Sequence, residues 1–132
     1  MKKTALSLAL VAIVLSSLAF AAAGADANRT LTGEYVWDQT GRGGALEAVF
    51  TPTGDGTWEV SFHFTFRGRP HTYSGTAEGS LDDGPLEGTV KNENRRRTFT
   101  FQGTVEGGLF RGTHAEIEDG RAYRTGTLTL EG

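Results

Sequence analysis

From residue 30 onward the chain alternates apolar and polar residues in eight short segments, several with a glycine on the apolar face. Two-residue alternation puts successive side chains on opposite sides of a strand, so each segment can bury one face and wet the other. The stretch Thr57 to Phe66 shows this most fully. Trp58, Val60, Phe62, Phe64 and Phe66 fall on one side, and Glu59, Ser61, His63 and Thr65 on the other. The remaining strands are expected at Thr30 to Asp38, Ala45 to Pro52, His71 to Ser80, Leu86 to Asn92, Arg97 to Glu106, Leu109 to Ile117 and Ala122 to Leu130. No stretch after residue 30 keeps a helical period of useful length.

Turn residues punctuate these segments: Gly54-Asp55-Gly56, Arg67-Gly68-Arg69-Pro70, Asp82-Asp83-Gly84-Pro85, Gly107-Gly108 and Asp119-Gly120. Connections this short pair each strand with its sequence neighbour, antiparallel. The expected fold is therefore all-β, a single eight-stranded antiparallel up-and-down (meander) barrel. Gly33, Gly75, Gly88, Gly103 and Gly126 share parity with nearby apolar residues, where a missing side chain permits tight coiling. A two-sheet sandwich with bulges at these glycines is the competing arrangement, but it calls for a long Greek-key crossover. An outer-membrane barrel is disfavoured because the face opposite the aromatics carries Ser, Thr, Glu, Arg and Lys rather than lipid-facing residues.

Ahead of the strands, Lys2 and Lys3 precede an uncharged apolar run from Ala5 to Phe20, followed by small-residue sites at 19–21, 21–23 and 25–27. This is the pattern of a secretory signal peptide, expected over residues 1–27 with cleavage between 21 and 27, leaving one domain over 28–132 that does not span a membrane. With no cysteine, neither a disulfide framework nor a lipoprotein anchor is available. Export without disulfides points to a bacterial periplasmic or secreted protein. Losing Lys2 and Lys3 leaves 11 basic residues against 16 acidic ones, a balance that argues against non-specific nucleic-acid binding.

Within the first strand, Leu31-Thr32-Gly33-Glu34-Tyr35 resembles the opening strand of the calycin barrels, the lipocalins and avidins, with tyrosine where their Gly-x-Trp start has tryptophan. The resemblance implies a barrel whose open end admits a small molecule. It does not extend to the avidin biotin-contacting residues, so biotin binding is not implied. The chain also echoes itself: Tyr73 to Leu81 matches Phe101 to Leu109 at identical spacing, with Gly-Thr at the third and fourth positions of each. Shared barrel geometry explains the echo.

If glycine parity marks the inside, the interior receives Leu31, Tyr35, Trp37, Trp58, Val60, Phe62, Phe64, Phe66, Tyr73, Phe99, Phe101 and Phe110. An eight-stranded barrel is just wide enough to be filled by side chains or to hold one small ligand, so this many rings favour a filled core on volume alone. Meander parity sorts the loops into two ends. One end collects Arg42, Arg67, Arg69, Arg95, Arg96 and Arg121; the other collects Asp55, Asp82, Asp83, Glu106 and Glu131. Arginine's planar fork suits carboxylate or phosphate. An arginine-rimmed mouth over aromatic walls can hold an anionic amphiphile or dock onto a polyanionic surface, unless Asp38, Glu93, Glu118 and Asp119 neutralise it as surface pairs.

The functional expectation is a binding protein for a small anionic or amphiphilic ligand, with Tyr35, Trp37, Arg42, Arg69, Tyr73, Arg96 and Arg121 as the binding residues. The alternative is a solid-core envelope or secreted interaction module, its protein partner unspecified. Catalytic motifs are lacking, so neither an enzyme nor a cofactor is expected. His114 and Glu116 share one side of a strand and are the best metal candidates, but two ligands do not make a site. Their setting turns on the last hairpin. A three-residue loop puts Glu116 opposite Arg124 as an ion pair, the simpler arrangement; a two-residue turn pairs Glu116 with Tyr123 and flips the strand's parity.

Overall fold

The computed structural model describes residues 27–132, so the signal-peptide segment and its cleavage site lie outside the described residues. Eight strands follow one another: β1 Arg29–Trp37, β2 Gly43–Gly54, β3 Thr57–Phe66, β4 Arg69–Gly79, β5 Gly84–Asn92, β6 Thr98–Glu106, β7 Leu109–Glu118 and β8 Arg121–Glu131. Each pairs antiparallel with the next, and β8 returns to β1, from Thr32 opposite Glu131 to Trp37 opposite Gly126. The barrel is closed, so no strand edge is left for a sandwich.

Alternation sets the two faces of every strand. Leu31, Ala48, Phe50, Val60, Phe101, Phe110 and Leu130 point inward and are almost wholly buried. Threonines at 30, 32, 76, 89, 104 and 129 stand on the wet outer wall. Burying a side chain the size of Phe50 or Leu130 contributes about 1.5–3 kcal/mol, and the inward set supplies the apolar driving force for closure.

Closure at this radius depends on missing side chains. A Cβ on Gly33 would overlap the Thr129 carbonyl, one on Gly75 the Thr89 carbonyl, and one on Gly126 the Val36 carbonyl. Each of these glycines lets the neighbouring backbone press into the barrel wall, which is the coiling the parity argument anticipates. Gly75 and Gly103 hold the same place in the two matching stretches, so the internal echo is a repeated coiling device.

The two ends are built differently. At the end holding the β2–β3, β4–β5 and β6–β7 connections, the segment Ser80–Asp83 folds inward and Leu81 is 1% exposed. The Ser80 hydroxyl accepts from the Asp82 and Asp83 amides, the Asp83 carboxylate accepts from the Gly107 amide, and the Trp58 indole donates to the Gly79 carbonyl. Leu81 and Trp58 plug this end. At the other end, tight two-residue turns at Arg67-Gly68 and Asp119-Gly120, with positive φ at both positions, leave the mouth uncovered.

The last hairpin combines both alternatives. Its turn has two residues, so Glu116 stands opposite Tyr123, but a bulge at Thr125 restores parity and places His114 opposite Gly126. The expected Glu116–Arg124 ion pair is absent: Glu116 pairs with Arg97 and Arg124 with Asp38.

Two kinds of glycine should respond oppositely to substitution. Gly75→Ala forces a Cβ onto the Thr89 carbonyl and is expected to cost about 1–3 kcal/mol. Gly107→Asn, in a left-handed turn with open space around it, should change stability by less than about 0.5 kcal/mol. Urea unfolding of both variants measures the contrast.

Candidate functional site

The open end holds a collar of five aromatic side chains. Phe64 lies 5.2 Å from Tyr35, Tyr35 6.3 Å from Trp37, Trp37 5.9 Å from Phe99, Phe99 5.6 Å from Tyr73, and Tyr73 5.7 Å from Phe64. These centroid separations lie in the range of favourable aromatic pairs, so the collar is held by ring–ring contacts around its whole circumference. Inside it is a cup of about 90 Å³, floored by Leu46, Phe62, Val90, Phe101 and Leu128. The interior is thus neither a full plug nor a deep cavity: one half is packed solid and the mouth half keeps a small apolar hollow.

His114 completes the wall between Trp37 and Phe99, 5.1 Å and 6.3 Å away. Gly126, opposite it, makes the room, since a Cβ there would come within 2.6 Å of the imidazole. The Val36 carbonyl 3.1 Å from Nε2 can only accept, so Nε2 carries the proton. In the neutral ring Nδ1 then accepts from the Thr125 hydroxyl at 2.7 Å. That hydroxyl has a second acceptor in the His114 carbonyl at 3.1 Å, so on protonation of the ring it can turn away and accept instead. Burial lowers the His114 pKa below its usual value, and this outweighs the raising influences of the Val36 carbonyl and Asp38.

Glu116 takes two hydrogen bonds from Arg97, at 2.9 Å and 3.1 Å. The Arg97 guanidinium also lies 5.0 Å over the Phe99 ring and adjoins Tyr73. Burial raises the Tyr73 pKa, partly countered by Arg97, so the phenol stays protonated and able to donate. Burial raises the pKa of Tyr35 as well. His114 and Glu116 thus make separate contacts, and no cluster of three candidate ligands occurs among the described residues.

The structure divides the sequence-derived site residues into two groups. Tyr35, Trp37 and Tyr73 meet in the collar, whereas Arg42, Arg69, Arg96 and Arg121 are exposed on the rim and do not line the cup. The arginine nearest the cup is Arg97, which a strand-start reading passes over. Phe64 and Phe99 were legible as inward residues but carried no signal marking them as collar rather than core, whereas the facing of His114 depended on the last hairpin, and the bulge at Thr125 turns it inward. Phe66, expected inside, is 45% exposed because it extends past the rim. Among the described residues, neither the Trp37 indole N–H nor the Tyr35 hydroxyl has a hydrogen-bond partner, leaving two polar tips at the mouth.

Comparison with known proteins supports the architecture. A solved structure of a redesigned β-barrel is similar over 78% of this chain and 88% of its own, with a TM-score of 0.65 and 17% identity. Likeness at that identity shows the fold alone. No family model matches the chain, and no curated protein matches it.

The depressed His114 pKa makes stability pH-dependent. Its unfolded form takes up a proton first as pH falls through the usual imidazole range near 6.5, so acidification favours unfolding until the folded pKa is reached. Wild-type protein is expected to lose more stability between pH 7 and 5 than His114→Gln, by roughly 1.4 kcal/mol per unit of depression. Urea midpoints at several pH values, with the His114 ring protons followed by NMR, check both sign and size.

Proposed function

We propose that this is an exported binding protein that takes the apolar end of a small anionic or amphiphilic ligand into the collar while arginines at the rim hold its charge. The observation that carries this reading is the closed ring of five aromatics around a cup open at the arginine-rich end. The cup of about 90 Å³ is well below the roughly 300–1,000 Å³ of pockets that engulf whole ligands. It suits a branched aliphatic end or the edge of one ring, with the rest of the ligand outside among Arg97 and the rim arginines. A ligand entering at one mouth of a barrel is what the calycin resemblance implies, and the leader-like N-terminus supports export.

The smallness of the cup also favours a second reading, in which the barrel works through its surface as an envelope or secreted interaction module with no small ligand. The two differ in what the purified protein carries. Native mass spectrometry of protein taken gently from its own host is expected to show a stoichiometric small-molecule adduct. Leu128→Phe, which fills the floor of the cup, should abolish the adduct, and combining Arg42→Gln, Arg69→Gln and Arg121→Gln should weaken binding by about tenfold or more. A bare wild-type mass, together with Trp37 fluorescence unmoved by benzoate or branched-chain carboxylates, overturns the cup reading and leaves the surface module.

A further inference from the structure

Eight of the ten arginines in the described residues stand at the open end, against five carboxylates there. Two are neutralised, Arg97 by Glu116 and Arg124 by Asp38. The opposite end is acidic, with Asp55, Asp82, Asp83, Glu106 and Glu131. The barrel therefore has a positive face and a negative face on a common axis.

Among the described residues the two exposed large hydrophobics, Phe66 at 45% and Tyr123 at 50%, are both at the positive end. Phe66 lies at the tip of the β3–β4 hairpin and Tyr123 near the tip of the β7–β8 hairpin, four strands apart in a ring of eight. The first hairpin overhangs the rim. Its residues 64–66 have no partner on β2, and residues 69–72 have none on β5. Both aromatics share strand parity with interior residues, so they flank the mouth. Arg67 stacks over Phe66, with its guanidinium carbon 5.2 Å from the ring centroid.

Backbone strain concentrates at the same end. Among the described residues, the non-glycine positions with positive φ are Arg67 at 52°, Arg95 at 60° and Asp119 at 51°, all in mouth turns, whereas the positive-φ positions at the plugged end are all glycine. Two arginines thus occupy conformations that glycine or asparagine adopts more readily, at turn tips where the side chain meets no core.

We propose that the arginine-rich mouth is a docking face for an anionic lipid surface, with Phe66 and Tyr123 entering the headgroup region and the rim arginines meeting lipid phosphates. Aromatic rings favour the membrane–water interface, and clustered arginines add attraction to anionic lipid that weakens with salt. The acidic far end is repelled by the same surface, so the barrel stands on its mouth. Docking extends the ligand reading without requiring it: the cup would face the lipid, the natural source of an amphiphile, yet rim and hairpin tips can bind whether or not the cup is filled.

The barrel closes within residues 29–131, so residues 27–132 are the species to test. Cosedimentation would use phosphatidylcholine vesicles with and without equal phosphatidylglycerol. Wild type is expected to bind the anionic vesicles at least about tenfold more tightly, and Arg67→Gln with Arg69→Gln and Arg121→Gln to remove that preference. Phe66→Ser with Tyr123→Ser should weaken binding severalfold, and a Phe66→Trp reporter should shift its emission to the blue on anionic vesicles. Leu128→Phe, which blocks the cup, should leave vesicle binding unchanged, so failure of the cup and failure of docking are separable. Equal binding to both vesicle types, or full binding by the triple arginine variant, overturns the proposal. So does arginine-dependent binding that soluble polyphosphate displaces while the Phe66→Trp reporter stays unshifted, since that marks a soluble polyanion site.

Discussion

Closing eight short strands into a circle this small requires the backbone of one strand to press against the wall of the next, and the molecule permits it only where a side chain is missing. Gly33, Gly75 and Gly126 each leave the space that a neighbouring carbonyl occupies. The consequences run beyond curvature. Gly126 also makes room for the His114 ring, so the position that bends β8 around β1 admits a buried imidazole to the collar. Curvature and site composition are here one constraint.

That constraint acts unevenly along the axis. At the plugged end the interior is filled by Phe50, Phe110, Leu86 and Leu130, and Leu81 is tucked in from a loop pinned by Ser80 and Asp83. At the mouth the inward positions carry Tyr35, Trp37, Phe64, Tyr73 and Phe99. Five planar side chains packed ring to ring around a circle, three pairs edge to face, Tyr35–Phe64 tilted and Phe64–Tyr73 stacked, satisfy one another without meeting at the centre, which leaves a hollow. The cup is a by-product of ring geometry at the rim.

Most of the architecture was legible in the sequence because alternation, glycine parity and turn residues are local signals. The Thr57–Phe66 strand matches its expected bounds, and the sorting of loops into a basic and an acidic end follows from strand count. What was not legible depends on packing between distant residues. Arg97 reads as the start of a strand, and only closure of the barrel brings it against Glu116, Tyr73 and Phe99. The Thr125 bulge likewise carries no sequence mark: the Asp119-Gly120 turn alone predicts flipped parity, and it is the extra residue that turns Gly126 inward. The fate of Phe66 was missed for a geometric reason, since parity says which way a side chain points but not whether the barrel still surrounds it.

The turns connect the fold to its electrostatics. A two-residue hairpin turn wants positive φ at both central positions, and glycine, asparagine and aspartate adopt it at least cost. At the plugged end Gly107-Gly108 meets that demand in the ordinary way. At the mouth Arg67 takes the first position instead, in a conformation that disfavours an ordinary side chain by about 1–2 kcal/mol. Nothing in the core compensates, because Arg67 is exposed and its contact is the equally exposed Phe66 ring. Arg95 repeats the pattern on the β5–β6 connection, where Asn92 and Asn94 hold the loop through the Arg96 amide. Arginine at two of the four mouth turns therefore adds charge to one face at positions that glycine would occupy at lower conformational cost.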